Sequence, residues 1–109
     1  MRPTLLLALL ATPAAADDPS PPTLRLATCA ALWEGYADVL GDEGERALAA
    51  RFESAAVAEG GEEARALIAE RRPWMRDLLV AYTQHQDDQS RDLFTRLVID
   101  CGALAADLP

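Results

Sequence analysis

Three groups of side chains in this chain have types and spacings that could do chemistry. The only histidine, His85, is followed by Asp88 and Asp92 at successive spacings of three and four. On one continuous helix these residues would share a face, where an imidazole and two carboxylates could ligate a divalent cation or move protons. The surrounding run Gln84-His85-Gln86-Asp87-Asp88-Gln89 reads instead as an exposed connection between helices. Asp87 or Asp88 is well placed there to cap the helix that follows. No metal ligand, cofactor or catalytic residue is therefore assigned.

The second group is basic: Arg71, Arg72 and Arg76 cluster around Pro73 in an otherwise acidic chain. With the free N–H groups of a helix beginning at Pro73 they could hold an anion. Acids outnumber bases, so the expected role is to neutralise carboxylates on neighbouring helices, with the arginine stems laid against Trp74. Arg71 stands out because it interrupts an apolar stripe.

The third group is the ridge Glu34, Asp38 and Asp42, three acids four residues apart. Like charges at that spacing mildly destabilise a helix, so a ridge kept despite the cost offers a surface to a basic partner. Among the aromatics, Trp33 and Tyr82 fall on core stripes, Tyr36 sits at the edge of its own, and Trp74 is one step off. Glu34, Asp38, Trp74 and Tyr36 are accordingly the expected partner contacts.

Nucleophilic catalysis finds no support. Beyond the first residues the serines are Ser20, Ser54 and Ser90, with no G-x-S-x-G elbow and no glycine-rich phosphate loop after a strand.

These groups must be held by a small frame. The 109-residue chain starts with a basic residue, Arg2, followed by an apolar stretch from Leu5 to Ala11, the helix breaker Pro13 and the small residues Ala14, Ala15 and Ala16. That order is expected of a secretory signal peptide over residues 1–16. The apolar stretch is far shorter than the roughly 20 residues a membrane-spanning helix needs. Residues 17–22, rich in proline and without an apolar side chain, read as a disordered leader. Residues 23–109 are expected to form one domain, soluble after signal removal and destined for the periplasm or the medium.

The formal charge of −8 becomes −9 once the signal peptide, which carries Arg2 and no acid, is removed. Such acidity argues against nucleic acid and anionic membrane surfaces as partners. Every basic residue other than His85 is arginine, and alanine is abundant, as in chains from GC-rich bacteria.

In an exported chain the two cysteines, Cys29 and Cys101, are expected to pair. Closing a loop of that size restricts the unfolded chain by about 4 kcal/mol, a large fraction of a small domain's stability.

Apolar periodicity predicts four helices. The first runs from Thr23 to Leu40 with a stripe through Leu26, Cys29, Trp33 and Ala37, stopped by Gly41. Asp42 and Glu45 form a capping-box pattern that opens the second, which turns Leu48, Phe52 and Ala55 or Ala56 inward and ends at Gly60-Gly61. Being alanine-rich, it is expected to pack least firmly. The third begins at Glu62, its phase carrying through Pro73, where a kink or a split into two helices is expected. The last, from Asp88 to Ala106, has the clearest stripe, through Leu93, Phe94, Leu97, Val98, Cys101 and Leu104. Gly35 and Gly102 are expected to let the first and last helices approach beside the disulfide. The architecture predicted is all-α: a small four-helix bundle, five-helix if Pro73 splits the third, with the first and last helices disulfide-linked.

Export, acidity and the absence of a recognisable chemical constellation lead to the expected function: a non-enzymatic periplasmic interaction protein meeting a protein partner, with a small-ligand or metal binder as the alternative.

Overall fold

The computed structural model describes residues 19–109, so the predicted signal peptide and the first two residues of the leader lie outside the described residues. Ser20 caps the first helix, α1 (Pro21–Leu40): its Oγ accepts from Thr23 N–H at 3.2 Å, and prolines occupy the first helical positions, where no N–H is needed. The end of the leader is thus helical rather than disordered. Gly41, at φ 67°, closes the helix in the left-handed conformation, its N–H donating to the Ala37 carbonyl.

Among the described residues there are three helices rather than the expected four. Asp42 caps the second, α2 (Glu43–Thr83), by accepting from Gly44 N–H at 2.8 Å. The expected second and third helices follow one another within α2 without a connecting loop. The only residue in it outside helical geometry is Gly61, at φ 61° and ψ −140°. The chain reverses there: Arg65 comes within 3.8 Å of Glu53, whereas a straight helix would hold residues 53 and 65 about 18 Å apart. Pro73 neither splits α2 nor moves its backbone out of helical geometry, so the five-helix alternative is excluded as well.

The two arms of α2 clasp α1. The first runs antiparallel to it, with Arg46 near Asp38 at one end and Gly60 against Thr23 at the other. The second runs parallel to α1, with Arg71 beside Thr28 and Met75 beside Gly35. Gly35 is needed there, because a Cβ would stand 2.9 Å from the Arg76 backbone nitrogen and 3.0 Å from Met75 Cβ. It serves the approach of α1 to α2, not to the last helix, and Gly102 has open space around it.

Gly61→Ala is expected to cost about 1–3 kcal/mol, because that backbone conformation is open to glycine and strained for every side chain. A urea unfolding curve checks it.

The last helix, α3 (Asp88–Ala105), begins at Asp87, whose carboxylate accepts from the Ser90 N–H at 2.9 Å and from its Oγ at 2.6 Å. It packs antiparallel to α1, joined by the Cys29–Cys101 disulfide with the Cα atoms 5.5 Å apart, and by Phe94 against Tyr36 with ring centroids 5.9 Å apart. Only Phe94 and Cys101 of α3 are buried. The first arm of α2, expected to pack least firmly, buries Ala49, Phe52 and Ala56 almost completely. Burial follows the number of neighbours: α1 is enclosed on most sides, so even its small residues Ala27, Ala30, Ala31 and Gly35 lie inside. No described helix is long and apolar enough to cross a membrane.

Candidate functional site

The acidic ridge and the arginine cluster meet one another. Arg72 on α2 grips Asp38 on α1 with both edges of its guanidinium, Nε and Nη2 donating to Oδ2 and Oδ1 at 2.8 Å each. Its Nη1 reaches Glu34 Oε1 at 3.0 Å. The Glu34 and Asp38 side chains keep only 13% and 17% of their exposure. As partner contacts they are therefore largely spent within the chain, and the helix repulsion noted above is offset by a bidentate cation set between them.

The two carboxyls respond oppositely. Hydrogen bonding from Arg72 holds Asp38 below its ordinary value, against its partial burial, while burial pushes Glu34 up despite Arg72. A depressed folded-state value means stability present above the ordinary 3.8 and lost as pH falls through the folded value. Glu34 contributes with the reverse sign, favouring the folded state at low pH. Asp38→Asn is accordingly expected to cost about 1–2 kcal/mol at pH 7 and progressively less at a second, acid pH as the folded-state value is approached and passed, with Glu34→Gln much milder at pH 7. Urea melts at the two pH values check the difference.

Of the other expected contacts, Trp74 is 51% exposed on the outer face of α2. Tyr36 is half-buried between Trp33 and Phe94, with Tyr82 5.7 Å beyond Phe94, so it belongs to an aromatic row linking α1, α2 and α3. His85 is exposed in the connection before α3 and does not share a helix with Asp88 and Asp92. Among the described residues no three His, Cys, Asp or Glu side chains converge as a metal site.

The feature that sequence reasoning missed lies on the other side of α1. Beside the disulfide, α1, α2 and α3 leave an open cleft of about 580 Å³. Leu24 of α1 and Leu97 and Leu104 of α3 supply apolar wall, and Cys29 and Cys101 line it. Arg25, Asp100 and Asp107 also line it, and none of them makes an ion pair within the described residues. A second hollow of about 360 Å³ shares Arg25, Leu104 and Asp107 with it and continues past Leu26 to Leu108. Arg71 closes the α2 side. Its Nη1 donates to Thr28 Oγ1 at 3.3 Å, while its Nε is buried without any hydrogen-bond partner. The interruption of the apolar stripe at Arg71 was the one signal of this arrangement in the sequence.

The fold and cleft together define an all-helical, disulfide-linked chain with a groove of mixed character at the junction of its three helices. Comparison with protein-family models, curated proteins and solved structures finds no match to this chain.

Proposed function

We propose that this chain is an exported, non-enzymatic binding protein whose binding site is the cleft beside the Cys29–Cys101 disulfide. The observation that carries this reading is the cleft itself: apolar walls from α1 and α3, closed by Arg71 of α2, large enough for a small ligand, with a few unpaired charged groups set into them. Export remains the reading of residues 1–16 and agrees with the disulfide. A binding role is preferred to catalysis because the one histidine, His85, stands in an exposed connection and does not line the cleft. The cleft is preferred to the Glu34–Asp38 ridge because Arg72 already occupies that ridge.

The test is extraction of the oxidised protein, purified from the cell envelope, into organic solvent, followed by mass spectrometry. One class of small apolar molecule is expected in near-stoichiometric amount, lost in Leu97→Glu, which places a charge on the cleft wall. A protein that carries nothing and takes up no apolar dye would refute the reading.

A further inference from the structure

We propose that the cleft takes an aliphatic monocarboxylic acid, its carboxylate on Arg71 and its hydrocarbon tail along Leu24, Leu97 and Leu104. The inference rests on the binding reading above and adds the chemistry of the ligand.

It starts from an unfinished hydrogen-bond account. Arg71 is half-buried, one N–H is given to Thr28 Oγ1, and the N–H on Nε is buried with no acceptor. Nε is closed off from the cleft, but the guanidinium as a whole lines it without a carboxylate partner, and its planar shape matches a carboxylate in geometry and charge. The other arginine so closely drawn into the fold, Arg72, has both carboxylates it needs within the chain. Arg71 has none within ion-pairing distance, although Asp100 lines the same cleft. A ligand carboxylate seated on the part of Arg71 that lines the cleft supplies the counter-charge that the protein does not.

The tail follows from the walls. Beyond Arg71 the cleft is lined by leucines and by helices whose backbone groups are already bonded internally. A peptide lying there would bury N–H and C=O groups with few partners, whereas a hydrocarbon chain needs none. The hollow continues toward Leu26 and Leu108, giving length for an extended chain.

The single charge follows from the rim. Arg25 and Arg71 are balanced in number by Asp100 and Asp107, so the lining offers no net positive charge to a second negative one, and the acidity of the chain as a whole disfavours a dianion such as a phosphate ester more than a monoanion. Asp100 then limits affinity rather than creating it.

Calorimetric titration of the oxidised protein purified from the envelope, stripped of bound lipid, with sodium dodecanoate, 1-dodecanol and dodecyl phosphate tests this. Dodecanoate is expected to bind about tenfold more tightly than dodecanol, and dodecyl phosphate more weakly than dodecanoate. Each methylene from octanoate to dodecanoate should add about two- to fourfold. Arg71→Gln should erase the preference for the acid over the alcohol, with far-ultraviolet circular dichroism showing that the variant folds. Asp100→Asn should tighten dodecanoate about two- to fivefold at low salt. Equal binding of acid and alcohol to the unaltered protein overturns the carboxylate assignment while leaving the cleft as a binding site. No binding of either overturns both. Binding of an apolar peptide with a free C-terminal carboxylate, where dodecanoate fails, overturns the choice of a hydrocarbon tail.

Discussion

Replacing Cys29 and Cys101 together by alanine is expected to lower the unfolding free energy by about 4 kcal/mol. The bond joins residues 72 positions apart, so its loss frees a loop spanning most of the described chain. The native state loses the link where it is least replaceable. α3 buries only Phe94 and Cys101, and its hold on α1 is the disulfide together with the Tyr36–Phe94 stack. α1 and α2 clasp one another independently of that bond. In the double variant α3 is expected to exchange its amide hydrogens well before α1, and the cleft, which needs both α1 and α3, should lose its ligand. Urea unfolding of the oxidised protein and of the variant measures the first effect, and hydrogen exchange the second. A change below 1 kcal/mol would mean that packing alone holds α3 in place.

Phe52→Ala is expected to cost about 3–5 kcal/mol, the range for removing a fully buried aromatic ring. Phe52 has no exposed surface and is the largest fully buried side chain among the described residues. Its neighbours on the same arm of α2 are the small, equally buried Ala49 and Ala56, so the ring is the main apolar volume that arm contributes. Against a total stability of about 5–10 kcal/mol for a domain of this size, the loss leaves a protein close to unfolding at ordinary temperature. Thermal denaturation followed by near-ultraviolet circular dichroism checks it. A loss under 1 kcal/mol would show that the arm moves in to fill the space.

Local chemistry made much of this fold legible. Gly41, Asp42, Gly60-Gly61 and Asp87 mark helix ends through side-chain caps and backbone angles that need only a few neighbouring residues, and all of them mark ends or reversals in the structure. The disulfide was legible because two cysteines in a chain read as exported are expected to pair, and both fall on apolar stripes. At Pro73 the sequence left a kinked helix or a split open; the helix runs through, because the cost of proline is local while the packing of α2 against α1 comes from elsewhere in the chain. The weakly amphipathic first arm was misjudged for a related reason: alanines read as poor apolar residues in sequence, yet they suit the closest helix contacts.

The site was less legible than the fold. Glu34 and Asp38 read as an outward ridge because Arg72 lies 34 positions beyond Asp38 and meets it only once the second arm of α2 runs parallel to α1. The cleft belongs to no single element, since its walls come from α1, α2 and α3, and no periodicity within one helix announces it.

The most direct test is to record amide and leucine methyl resonances of the oxidised protein while adding dodecanoate. Saturable shifts are predicted at Leu24, Thr28, Arg71, Leu97 and Leu104, with Glu34, Asp38 and Trp74 unmoved. Shifts centred on Glu34, Asp38 or Trp74 with the cleft residues silent would contradict the account.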